Sequence, residues 1–332
     1  MLLDSILTGV IGRENADKLF LMLHVAPALM DDSAKIERAH IAQAMNMVLF
    51  HDLLARVPSG RSYVAETIAE GGKVTFDHGA LRTVAWRDNG LLPSGRVAIT
   101  RVLGSLGFVE AAIYPLPKLK MTGYAYRHLD YPEDIAQYFV SELHPEQFSA
   151  PFQAAVSRVL TTNLDPLTAE ELALFKRLDH HDAITLDNAI SVVKAAARCF
   201  NRHHQEPRIS DYEILKAESN EMAWISTEGN AFNHATDRVT DVSITAERQR
   251  TRGRAVKEKI EVSATGRVRQ TALIADKVRR GFIDDKGVRF EMNVPGSFYE
   301  FITRDQLPNS TKLDLAFDTG NATGIFNVTA GS

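Results

Sequence analysis

The chain has 332 residues, 45% of them hydrophobic and 24% charged, and a formal net charge of -4. This composition excludes disordered, collagenous and coiled-coil classes and provides enough apolar surface for a sizeable core. With no global basic field, nucleic acid is not an expected partner. The single cysteine, Cys199, excludes a disulfide framework and a cysteine-cluster metal site, leaves His, Asp and Glu as metal ligands, and fits a reducing, cytoplasmic setting.

In chain order, residues 1–70 read as helices. The apolar stretch Leu19–Met30 falls short of the roughly 20 residues a membrane span needs, so it is expected to be a buried helix and no membrane partner is expected. Lys35–Val57 carries apolar residues at helical spacing, with Ser33 as its N-cap. Gly71 and Gly72 break this pattern. Strand-like segments follow at Val74–Trp86, Phe108–Tyr114, Leu119–His128 and Gln137–His144, with a short helix from Pro93-Ser94-Gly95 to Leu106 after the first.

Pro151–Lys216 returns to helix, clearest at Leu172–Leu178 and Ala189–Phe200. A second mixed segment reads as strand at Met222–Thr227 and in the run to Arg238, then as a polar helix at Val242–Arg250. Lys257–Ser263, Thr271–Ala275, Val288–Asn293 and Ser297–Arg304 are its further strands, and the Arg-rich stretch Arg248–Arg254 reads as a solvated helix face. The expected fold is α+β: two βαβββ-type modules, at 71–150 and 217–332, forming one cupped or barrel-like mixed sheet. Residues 1–332 are expected to make a single compact domain, with the helices of 1–70 and of the insert 151–216 outside the sheet.

Two of the 11 histidines stand within short strand-like motifs, Phe76-Asp77-His78-Gly79-Ala80-Leu81-Arg82 and Phe232-Asn233-His234-Ala235-Thr236-Asp237-Arg238. Strand alternation puts Phe76, His78, Ala80, Arg82 and Val84 on one face, apolar but for an imidazole and a guanidinium. Four strand residues separate these two by about 13 Å, a span that a small molecule can bridge. A buried arginine needs an anion, which a ligand can supply. The same ligand-plus-four spacing recurs at His234 with Arg238 and at Glu300 with Arg304. By parity, Asp77, Asn233 and Tyr299 fall on the opposite face. Two His and one carboxylate on separate strands can occupy one face of an octahedral metal and leave the other positions open, a pattern suited to Fe(II).

At these residues the sequence resembles the 2-oxoadipate dioxygenase/decarboxylase (hydroxyglutarate synthase) family, a group of vicinal-oxygen-chelate-like proteins. Gly71-Gly72-x-Val74-x-Phe76-Asp77-His78-Gly79-x-x-Arg82 resembles its first metal-ligand strand, Phe232-Asn233-His234-x-Thr236-x-Arg238 its second, and Tyr299-Glu300-Phe301-Ile302-x-Arg304 its third. The resemblance implies one Fe(II) held by His78, His234 and Glu300, which would be the catalytic centre, with Arg82 on the far carboxylate of a 2-oxo diacid. Arg238 and Arg304 are further candidates for substrate binding, or for pairing with an acidic neighbour. Dioxygen would be the second substrate, carbon dioxide would leave, and the same molecule would be hydroxylated, turning 2-oxoadipate into 2-hydroxyglutarate. The chain departs from the family's long members, which carry substantial sequence after the glutamate strand; only 32 residues follow Glu300 here, and the tail Asp318–Phe326 is a candidate to close the cavity. A glyoxalase-type isomerase or lyase, or a non-catalytic binding protein on the same scaffold, are the competing expectations.

Overall fold

The computed structural model describes residues 1–30, 35–180 and 184–317; the tail Asp318–Phe326 and Ser33 lie outside them. The N-terminal helices are α1 (Leu2–Ile11), α2 (Arg13–Met22), α3 (Arg38–Arg56) and α4 (Pro58–Ala69). The first module follows as β1 (Phe76–Val84), α5 (Val97–Leu103), β2 (Phe108–Leu116), β3 (Met121–His128) and β4 (Gln137–Leu143). The insert contains α6 (Ala150–Leu160), α7 (Ala169–Asp179), α8 (Leu186–Arg198), α9 (Ile209–Glu218) and α10 (Asn220–Glu228). The second module is β5 (Phe232–Arg238), α11 (Val242–Thr251), β6 (Glu261–Val262), β7 (Val268–Ala272) and β10 (Phe298–Arg304), interrupted by the hairpin β8 (Lys277–Ile283) and β9 (Arg289–Pro295).

Eight strands form one curled half-barrel sheet in the order β2-β3-β4-β1-β5-β10-β7-β6. Each module contributes four strands in the same relative order, and they meet where β1 and β5 pair antiparallel. Gly79 faces Ala235 there, with His78 opposite Thr236 and Ala80 opposite His234. A pseudo-twofold through that point exchanges His78 with His234 and Arg82 with Arg238. It also exchanges β4 with β10: Gln137 is the parallel partner of His78, as Phe298 is of His234. At Gly79 a Cβ would meet the Phe232 ring at 2.3 Å, so only glycine lets the modules approach this closely.

One face of the sheet packs on helices. Leu81, Val140, Phe232, Ala235, Tyr299 and Phe301 join a core with buried residues of α1, α3, α4 and α8. Fourteen residues of α3 are buried, and its Phe50 ring lies 5.3 Å from Phe76 and 6.3 Å from Tyr299. Truncating an aromatic so enclosed costs on the order of 3–5 kcal/mol. The opposite face carries the polar cluster described below. At one end of it, Val84, Met121 and Leu143 pack with α6, α9, α10 and the hairpin. The helices of 151–216 are therefore not all outside the sheet: α6 and α9, with α10 after them, cap the site-bearing face.

Several sequence expectations are corrected. Met222–Thr227 is not a strand but lies within α10, capped by the Ser219 hydroxyl, which accepts from the Met222 N–H. Every residue from Glu221 to Glu228 is buried, so this helix has no polar stripe and its periodicity is lost. The Leu19–Met30 helix ends at Met22; Leu23 bridges to Val74 instead. The cap of α3 is Glu37, not Ser33. Lys257–Ser263 contributes only two strand residues, and β8, rich in arginine and lysine, had no apolar alternation to reveal it. The Arg-rich stretch at the end of α11 is not simply solvated, because Arg252 and Arg254, just past the helix, pair with Glu66 on α4, and Arg252 also with Glu70 at the C-cap of α4.

Candidate metal centre

His78, Thr236 and Glu300 form one row across β1, β5 and β10, with His234 two residues earlier on β5. One ligating atom from each of His78, His234 and Glu300 lies within 4.8 Å of the others, and all three residues are buried. Nε2 of His78 and Nε2 of His234 are each 3.3 Å from Glu300 Oε2. The Thr236 hydroxyl donates to the same oxygen at 2.6 Å and lies 3.1 Å from His78 Nε2. Glu300 Oε1 is buried without a hydrogen-bond partner. A buried carboxylate with one oxygen between two imidazoles and the other unpartnered among the described residues fits a divalent cation, whose charge would offset a desolvation cost that the protein's donors leave partly unmet.

Asp77 Oδ1 meets His78 Nδ1 at 2.9 Å, which assigns the ring proton to Nδ1 and leaves Nε2 free to ligate. Parity placed Asp77 on the wrong face because β1 carries a register shift between Phe76 and His78. The same bulge turns Phe76 away from His78 and into the helical core beside Phe50. Tyr299 does lie on the helical face, packed against Tyr63. Burial works against charge at Asp77, but Arg304 and His78 outweigh it and hold the carboxyl well below its usual range. At His78, burial is likewise outweighed, by Asp77 and Glu300, and the pKa rises; at His234 burial prevails and it falls. Burial also opposes the charge of Glu300, yet the two histidines keep it ionised.

Arg304 places Nε and Nη2 on Asp77 at 2.9–3.0 Å and its Nη1 on the carbonyls of Asp314 and Ala316, each at 2.9 Å. Arg238 lies 3.5 Å from Asp77 and donates to the Glu133 carbonyl at 2.7 Å. Both arginines are thus engaged on Asp77, the acidic neighbour in their alternative reading. Arg82 is fully buried on the site face, its guanidinium 4.9 Å from the centre of the Trp224 ring. Burial lowers its pKa to about 10, opposed by Glu221, and its charge is felt at His234.

The chain after β10 adds a wall that no motif announced. Asp314–Phe317 returns across the site face, the Phe317 N–H donates to the Tyr114 hydroxyl at 3.0 Å, and the Phe317 ring stands edge-on to His78 at 4.8 Å. No helix among the described residues is long and apolar enough to cross a membrane.

A duplicated βαβββ sheet with a buried His-His-Glu cluster at its centre defines an α+β protein equipped to hold a metal ion. The chain belongs to the 2-oxoadipate dioxygenase/decarboxylase family, whose model matches residues 37–314. Among solved structures, a glyoxalase-superfamily protein of Ralstonia eutropha JMP134 is 50% identical, with 96% of this chain and 99% of that one covered and a TM-score of 0.92. The hydroxyglutarate synthase of Oryza sativa, solved in complex with 2-oxoadipate, is 19% identical over 91% of this chain and 97% of that one, with a TM-score of 0.69. That of Pseudomonas putida, also solved with 2-oxoadipate, is 18% identical over 88% of this chain and 72% of that one, with a TM-score of 0.56. Greater length therefore separates this chain from the Pseudomonas enzyme and not from the rice one. No curated protein matches the chain.

Proposed function

We propose that the protein is an Fe(II)-dependent dioxygenase that oxidatively decarboxylates a 2-oxo diacid and hydroxylates the product, with 2-oxoadipate giving 2-hydroxyglutarate. The observation that carries this reading is a buried cluster of three protein ligands, His78, His234 and Glu300, sharing a sheet face with the buried Arg82. Membership of the family supports it. Iron bound there would supply the sites at which the carboxylate and keto oxygens of the acid and dioxygen meet. The reaction balances without a further cosubstrate: carbon dioxide leaves, one oxygen atom enters the new carboxylate, and the other enters the hydroxyl group.

The chain's own residues bind and orient. Arg82 pairs with the far carboxylate, and the chain length between it and the metal ligands sets specificity. The Trp224 face against Arg82 fixes the guanidinium and excludes water behind it. Asp77 holds the His78 proton at Nδ1, and Thr236, by donating to Glu300 Oε2, restrains the carboxylate orientation. Phe298, 4.7 Å from His234, and Phe317 keep the cluster dry. A three-ligand set leaves more coordination sites open than the four-ligand centre usual for glyoxalase-type isomerases.

Anaerobic reconstitution with Fe(II), followed by oxygen-uptake measurements over a panel of 2-oxo acids, tests the proposal. Uptake with 2-oxoadipate, matched one to one by carbon dioxide and 2-hydroxyglutarate, is expected. No uptake with any 2-oxo acid by the iron-loaded protein would refute it.

A further inference from the structure

Gln137 is the first residue of β4 and the parallel neighbour of His78, so its side chain leaves the same face of the sheet one strand away. It is 1% exposed. Arg127 Nε donates to its Oε1 at 3.4 Å, which fixes the amide orientation because a guanidinium can only donate. The amide nitrogen is left buried with no hydrogen-bond partner among the described residues. Buried donors are nearly always met, so an acceptor belongs beside His78 that the described residues do not provide.

The pseudo-twofold makes the placement more specific. The residue equivalent to Gln137 is Phe298, whose ring lies 4.7 Å from the His234 ring. One histidine therefore has an aromatic wall at this position and the other a pair of N–H donors. Arg82 stands four residues along β1 from His78 and takes the far end of a diacid in the reading above, leaving Gln137 next to the end that meets the metal ligands.

We propose that Gln137 is a substrate-binding residue, its side-chain amide donating to the carboxylate adjacent to the keto group of the 2-oxo acid. This rests on the functional reading above. The asymmetry between Gln137 and Phe298 then sets which way round the acid lies: its charged end is drawn to the His78 side, and the apolar Phe298 wall rejects it on the His234 side.

The test uses Fe(II)-loaded protein held anaerobically, with 2-oxoadipate binding measured by calorimetry for the wild type, Gln137→Met and Gln137→Glu. Met keeps the shape without a donor; Glu keeps an acceptor for Arg127 but replaces the donor with an anion. Both variants should fold, and Gln137→Met should bind the metal within about twofold of wild type, since the amide's one bond is a long one to Arg127 and the hydrogen bonds around His78 and Glu300 run to Asp77 and Thr236. The 2-oxoadipate Kd should rise about tenfold to a hundredfold in Gln137→Met, as expected for a lost bond to a charged acceptor, and further in Gln137→Glu. An unchanged Kd in Gln137→Met beside normal wild-type binding would overturn the inference alone and assign the amide to an ordered water. Loss of the metal in Gln137→Met would also overturn it, in favour of a structural role. Failure of iron-loaded wild type to bind any 2-oxo acid would overturn the functional reading and the inference with it.

Discussion

Arg304 grips the carboxylate of Asp77 through Nε and Nη2 at 2.9–3.0 Å, and Asp77 in turn meets Nδ1 of His78 at 2.9 Å. All three residues are buried, so the charges on Arg304 and Asp77 are held against desolvation by one another. Asp77→Ala should weaken metal binding about tenfold to a hundredfold, because the His78 ring loses the partner that sets its tautomer and angle. Arg304→Met should destabilise the fold by about 3–5 kcal/mol, since it leaves Asp77 buried and partly uncompensated. Metal titration and chemical denaturation measure the two effects; unchanged metal affinity in Asp77→Ala would show that His78 is oriented by packing alone.

Replacing His78, His234 or Glu300 by Ala should abolish oxygen uptake while leaving the fold largely intact. The packed core lies on the opposite face of the sheet, against α1, α3, α4 and α8, and does not depend on these side chains. Removal of the metal with a chelator should abolish activity reversibly and preserve the circular dichroism spectrum. Collapse of the fold on chelation would instead make the metal structural.

Arg82→Ala should retain the metal but lose dicarboxylic substrates. Truncating one partner of a desolvated Arg-carboxylate pair costs on the order of 2–5 kcal/mol, or roughly 30-fold to several thousandfold in kcat/KM. The comparison is between a 2-oxo diacid and its matched mono-acid, on both proteins. If the ratio of the two is the same in wild type and variant, Arg82 serves the fold and not the substrate.

A pH effect is expected away from the site. His128 is buried, its Nδ1 accepts from the N–H groups of Asp130 and Tyr131 at 3.2 Å, and burial pushes its pKa down to about 4. The unfolded chain, with an ordinary histidine near 6.5, takes up the proton first as the pH falls. Stability is therefore full above about 6.5 and lost between there and about 4, by about 3 kcal/mol. His128→Asn, which keeps an acceptor but does not titrate, should show a smaller loss of urea midpoint between pH 7 and 4.5. An identical loss in both proteins would place the acid sensitivity elsewhere.

The sequence made some of this legible and hid the rest for physical reasons. His78, His234 and Glu300 could be read because each stands in a short strand motif, and near neighbours on a pleated strand share a face by simple alternation. Asp77 could not, because a single bulge shifts the register between Phe76 and His78 and reverses the parity on which its rejection rested. Helix α10 could not either: burial on every side erased the stripe that marks a helix, although Ser219 and Gly229, with φ +64, punctuate its ends. The engagement of Arg238 and Arg304 on Asp77 depends on pairing between distant strands, which spacing along the chain does not encode. The wall formed by Phe317 depends on where the chain goes after β10, and no periodicity carries that information.

The internal duplication shows why the cluster has three members among the described residues. The second half supplies two of the three side chains, His234 on β5 and Glu300 on β10. In the first half His78 remains, but the position matching Glu300 is Phe139: it pairs with Ala80 as Glu300 pairs with Thr236. Its ring now packs 5.0 Å from Phe317 and 5.7 Å from Tyr114. A phenyl ring thus stands on the His78 half where the His234 half has a carboxylate, so the first module supplies one member of the cluster and the second supplies two.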